Sequence, residues 1–171
     1  MPFVTDVTVE HDNMLLFIIT KDLFRFNKDV ALVCAYLPPE HSPYYKHSKT
    51  DSRVCILEQC LADLNVRLEF DFLVCGDMND RTKIYVPDLN DPESQIFNHD
   101  NMYAPLRVTE DGETNSYGKM LLELCTTFSL QIQNGVCKAD SKGLFTFVSE
   151  AGCIVADYFL VSSCLFNNFI K

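Results

Sequence analysis

The chain has 171 residues, 47% hydrophobic and 22% charged, enough apolar material for one packed core and too much for wholesale disorder. Its 14 basic residues stand against 24 acidic ones, a net charge of −10 without any basic run, which argues against tight binding to a nucleic-acid backbone. Met1-Pro2-Phe3-Val4-Thr5-Asp6 has no basic, apolar leader, and the apolar runs fall far short of the roughly 20 residues that span a bilayer; the expectation is an intracellular protein, nuclear or cytoplasmic, with no membrane association.

In chain order, residues 14–20 and 30–37 are apolar runs of strand length, joined through Asn27-Lys28-Asp29 and stopped by Pro38-Pro39. Between residues 51 and 64 the period changes: Val54, Leu57, Leu61 and Leu64 recur at three- and four-residue steps, which predicts an amphipathic helix. Residues 70–75 form a compact apolar strand that ends at Gly76-Asp77. From about 80 to 115, Pro87, Pro92 and Pro105 are scattered among Asp and Asn residues without a period, which predicts a long loop. A second helix follows, with Asn115 or Ser116 as N-cap and Tyr117, Leu121, Leu124 and Phe128 on its buried face. Residues 130–133, closed by an Asn134-Gly135 turn, then 145–148 and 154–161, are the last strands. The expectation is a single domain over residues 1–171, α/β or α+β, with sheet in its core.

The 8 cysteines, Cys34, Cys55, Cys60, Cys75, Cys125, Cys137, Cys153 and Cys164, include no C-x-x-C pair, which speaks against a zinc ribbon. Without an export signal they are read as reduced thiols. Glu40, His41 and His47 are read as a solvated loop rather than a metal site. The Asp88, Asp91 and Glu93 group lacks the pattern of a calcium loop.

Three segments could carry chemistry. In Gly76-Asp77-Met78-Asn79 a carboxylate and an amide leave a strand end two positions apart, on one face if the extended geometry persists. The carboxylate could orient or deprotonate a water and the amide could donate to a phosphate oxygen; the alternative is a turn capped by its own side chains. Tyr36, just before the proline stop, could donate its phenol to an anionic oxygen or simply shield the core. Asp157, inside an apolar strand, is expensive to bury unless paired; it could orient a histidine, or pair with backbone or a basic residue.

Taken in order, Tyr36-Leu37-Pro38, Gly76-Asp77-Met78-Asn79, Gly143-Leu144-Phe145-Thr146-Phe147 and Asp157-Tyr158-Phe159-Leu160 resemble the endonuclease/exonuclease/phosphatase superfamily. The nearest subgroup is the apurinic-like endonuclease domains of non-LTR retrotransposons, which Asn115-Ser116-Tyr117-Gly118 and Asn134-Gly135 also resemble. The resemblance runs from about residue 14 to residue 168. It implies a four-layered α/β sandwich of the DNase I-like type, incomplete here, and Mg²⁺-assisted hydrolysis of a nucleic-acid phosphodiester. Carried over by position, Asp77 aligns or activates the attacking water, Asn79 holds the scissile phosphate, Tyr36 bonds the phosphate or leaving oxygen, and Asp157 orients the family's histidine. Family members also have a metal-binding Glu ahead of this region and a Ser-Asp-His segment after the Asp157 position. Neither is found here, and Pro39 stands where the family often has Asn. The implied partner is DNA, held weakly given the acidic charge. The expected protein is a truncated retroelement-type domain; the alternatives are a non-catalytic remnant with a binding role and, ranked last, a phosphatase of lipid or inositol phosphates.

Overall fold

The apolar runs of the sequence become strands of one sheet, and the helical repeat covers one of its faces. The computed structural model describes residues 3–7, 13–39, 42–46, 53–65, 70–83 and 107–166. Strands β1 (Val4–Val7), β2 (Met14–Ile19) and β3 (Asp29–Ala35) come first, with a one-turn helix α1 (Lys21–Phe24) between the last two. Helix α2 (Arg53–Asn65) leads to β4 (Phe70–Asp77); helix α3 (Ser116–Thr127) leads to β5 (Leu130–Ile132). A hairpin of β6 (Phe147–Ser149) and β7 (Gly152–Ile154) precedes β8 (Asp157–Ser162). The main sheet has six strands in the order β1-β2-β3-β4-β8-β5. Its one parallel pair is β3–β4, the pair whose connection carries α2, because parallel neighbours require a crossover.

The register sorts the side chains between two faces. Met14, Leu16, Ala31, Val33, Phe72, Val74 and Leu160 pack against Leu57 and Leu61 of α2 and Leu121 and Leu124 of α3. Leu57, Leu61 and Leu121 are fully buried, each worth about 1.5–3 kcal/mol of hydrophobic stabilisation. The opposite face carries a smaller cluster, in which Leu165 and Phe166 cover Ile19, Val30, Leu73 and Val161. The rest of that face is open: Leu15 is 62% exposed and Tyr36 47%, while Phe17, Leu32, Cys34, Cys75 and Phe159 are half-buried.

One expectation changes. Residues 154–161 are not one strand: Ile154 closes the hairpin and Asp157 opens β8. Between them Val155 and Ala156 are buried, and their N–H groups go to Asp111 Oδ2 (3.2 Å) and Thr146 Oγ1 (2.9 Å) instead of a ladder. Strand β1 and helix α1 carry no periodic signal because each is only four residues long. Of the loop expected at about 80–115, residues 80–83 and 107–115 have neither helix nor strand. Residues 84–106, with Pro87, Pro92, Pro105, Asp88, Asp91 and Glu93, lie outside the described residues, as do Glu40, His41 and His47. All eight cysteines carry free thiols. No helix among the described residues is long and apolar enough to cross a membrane.

An apolar sheet face left this open should attract apolar probes. The purified chain is expected to bind a hydrophobic dye such as anilinonaphthalene sulfonate, with a fluorescence gain well above that of a tightly packed control protein. A sharp cooperative unfolding transition without dye binding would contradict this picture of the face.

Candidate active site

Gly76 lets the chain turn where β4 ends. Its φ is +137°, a region that side chains rarely adopt, and a Cβ there would lie 1.9 Å from the Ala35 carbonyl oxygen. Beyond it, Asp77 is the last residue of β4 and stands directly opposite Asp157, the first of β8. Both ladders of β3 run on past its end: Leu37 N–H donates to Asp77 O at 2.8 Å on the parallel side, and Tyr36 N–H to Asn13 O at 2.8 Å on the antiparallel side. Cys34, Cys75 and Phe159 share one row of the sheet. Strand alternation therefore places Tyr36, Asp77 and Asp157 in the next row on the same face, the open one.

Asn79 reaches this group by another route than extended geometry. The strand stops at Asp77, and Asn79 has a φ of +50°, the left-handed region that Asn tolerates better than most residues. Asp77 Oδ1 accepts the Asn79 N–H at 3.0 Å, closing an Asx turn, and Asn79 Nδ2 donates to Leu37 O at 3.0 Å. Met78 between them is fully buried and anchors the turn. The capped turn thus brings Asn79 back beside Asp77 and Leu37.

Asp157 is exposed, so the burial cost expected for a mid-strand carboxylate does not arise. Its backbone is held on both sides: its N–H donates to Thr146 Oγ1 (3.0 Å), and its carbonyl accepts from Asn134 Nδ2 (2.9 Å). Asn134 Oδ1 also accepts the Phe159 N–H at 3.0 Å, so one side chain prolongs the β5–β8 ladder by two bonds. Sequence reasoning treated Asn134 as a turn residue and Thr146 as part of a strand; their support of Asp157 has no local signal.

Beneath the row lies a buried polar network. The Tyr158 hydroxyl donates to Asp80 O (3.2 Å) and accepts from Thr82 N–H (3.1 Å). Arg107 lies 5.9 Å from the Tyr158 ring centroid, a cation–π distance, and donates to Thr82 Oγ1 (2.8 Å) and Asn134 O (3.1 Å). Burial pushes the Tyr158 phenol up and the Arg107 guanidinium down from their ordinary values. Arg81 forks onto buried Asp111 through Nε (3.0 Å) and Nη2 (2.7 Å), which ties residues 81–83 to residues 107–115. Burial alone would raise the Asp111 carboxyl; the bonds from Arg81, Glu113 N–H and Val155 N–H overcome it and hold the group below its ordinary value.

No group of three or more His, Cys, Asp or Glu side chains that could hold a metal ion occurs among the described residues. The four histidines, His11, His41, His47 and His99, lie outside them. Asp157 stands opposite Asp77 in the β4–β8 ladder.

No family model and no curated protein matches the chain. Among solved structures it is similar to the endonuclease domain of TRAS1, a telomere-specific non-LTR retrotransposon, with a TM-score of 0.54 at 10% identity over 96% of this chain. It is also similar to the 3′ phosphatase NExo from Neisseria, bound to a product DNA hairpin, with a TM-score of 0.54 at 14% identity over 95% of this chain. The chain spans 58% of the length of each. The chain thus shares the mixed α/β fold of these two structures.

The Arg81–Asp111 pair yields a pH prediction. A carboxyl whose folded pKa is depressed adds stability that is present above its unfolded value near ~3.9 and is lost as pH falls through the folded value. Asp111→Ala should cost about 3 kcal/mol at pH 7 in urea unfolding, and the gap to the parent should narrow once the pH drops below about 4. A gap of equal size at pH 7 and pH 2 would contradict the ion-pair account.

Proposed function

We propose that Tyr36, Asp77, Asn79 and Asp157 form the phosphate-positioning part of a phosphodiester hydrolase site that acts on DNA. The observation that supports this reading is the meeting of β3, β4 and β8 at one line of the open sheet face, where residues up to 121 positions apart in sequence (Tyr36 to Asp157, 157 − 36) share one edge. The neighbours of the same fold are described as an endonuclease domain and as a 3′ phosphatase bound to a DNA hairpin, which favours nucleic acid over lipid or inositol phosphates.

In this reading Asn79 and Tyr36 donate hydrogen bonds to phosphate oxygens, which fixes the scissile group. Asp77 accepts a proton from the attacking water or aligns it. Asp157 orients an imidazole, as the resemblance implies. Mg²⁺ would stabilise the charge that develops on the phosphate. The four-layered sandwich that the resemblance implies would set a second sheet against the face that carries Leu15 and Tyr36. Residues 1–171 are then a single domain and part of that sandwich.

A second reading, a non-catalytic remnant that only binds, is favoured by the net charge of −10. Cooperating catalytic groups lose orders of magnitude in rate when one is missing, and the charge repels DNA at low salt. The chain itself should therefore give no more than trace Mg²⁺-dependent nicking of plasmid DNA. Robust nicking that Asp77→Ala abolishes would refute this and show that the chain, or its oligomer, completes the site. Nuclear magnetic resonance separates positioning from chemistry. Titration with a DNA dinucleotide should shift the Asn79 side-chain amide and the Tyr36 ring. Shifts confined to other residues, or none, would remove these four from the site.

A further inference from the structure

The geometry points to Cys34 and Cys75 as a redox-modified pair, which a peroxide converts to a disulfide that ties β3 to β4 two residues before Tyr36 and Asp77. This inference does not rest on the hydrolase reading.

The two residues are direct partners in the parallel ladder, and their Sγ atoms lie 3.7 Å apart in an S–H···S contact. Neighbouring strands lie about 4.8 Å apart, inside the Cα separation of about 4.4–6.8 Å that a disulfide bridges. The sulfurs must close to about 2.05 Å, which rotation about the side-chain bonds can supply. Their row, Leu15-Cys34-Cys75-Phe159, crosses the open face of the sheet. Both thiols are half-buried there, whereas Cys60 and Cys125 are buried on the helix-covered side. A peroxide can therefore reach the pair.

The reaction balances with the peroxide as oxidant. One thiol attacks a peroxide oxygen, giving a sulfenic acid and one water. The second thiol then displaces hydroxide from that sulfur, forming the S–S bond and a second water. Burial and the contact with Cys34 push the Cys75 thiol up to about 11. Since the partner thiol is already in place, closure outruns a second oxidation.

The test treats the full chain with hydrogen peroxide, blocks remaining thiols with iodoacetamide and maps disulfides by mass spectrometry of the digest. The expected product is a Cys34–Cys75 cross-linked peptide lacking two hydrogens, on the order of tenfold more abundant than any other pair. Dithiothreitol should reverse it, and Cys34→Ser or Cys75→Ser should abolish it. In concentrated urea, where the ladder no longer holds the thiols together, the preference should disappear. The proposal fails if both thiols are recovered alkylated while the exposed Cys55 and Cys164 carry the oxidation. It also fails if each is oxidised to sulfinic acid without a cross-link, or if the pair forms equally well in urea.

Discussion

Between Ala35 and Gly76 the two inner strands run so close that a methyl group on Gly76 would meet the Ala35 carbonyl oxygen at 1.9 Å. That approach lets the ladder continue to the bond from Leu37 N–H to Asp77 O, past the point where β3 has formally ended. Asn79 then reaches back to Leu37 O. The exits of both strands are thereby locked to each other, and Tyr36, Asp77 and Asn79 follow as a group. A larger residue at position 76 would not merely remove a flexible link; it would separate the strands that define the site.

The second constraint is polar and lies under the first. Residues 81–83 and 107–115 are held together, because Arg81 grips Asp111 and Asn115 Oδ1 accepts from both Arg81 N–H (3.2 Å) and Gly118 N–H (2.7 Å). The same Asp111 carboxylate accepts the Val155 N–H, just before β8 begins. Arg81, the 111–113 segment and the entry to β8 therefore converge on one buried anion. Tyr158 and Thr82 repeat the link one layer deeper. The bidentate geometry of an arginine–carboxylate pair suits this task, since it fixes orientation as well as distance.

Much of this could be read from the residues because burial imposes a period. Leu57, Leu61 and Leu64 marked α2, and the unbroken run from Phe70 to Cys75 marked a strand covered on at least one face. Asn115 announced α3 by its capping chemistry. What stayed hidden was the order of neighbours. Nothing local says that β8 inserts between β4 and β5, or that Asn134 serves as a ladder partner for Phe159, because those contacts join residues 25 to 90 positions apart. Asp157 was misjudged for the same reason. Its apolar surroundings in sequence suggested burial, but the break at Val155 and Ala156 moves it to the strand's first, exposed position. Asp77 and Asn79 were singled out by an argument about alternation; the link that joins them is an Asx turn.

The place of β8 in the sheet bears on how the chain is made. Strand β4 is complete at residue 77, but one of its two edges pairs only with residues 157–161. Among the described residues, strand β5 pairs within the sheet only with β8. During synthesis from the N-terminus, then, some 80 residues (157 − 77) must emerge after β4 before that edge is sealed, and α3 must wait to find its full floor. At an elongation rate of about 5–20 residues per second, this leaves the nascent sheet with an unsatisfied inner edge for several seconds, an interval in which a chaperone rather than the fold itself would have to protect it.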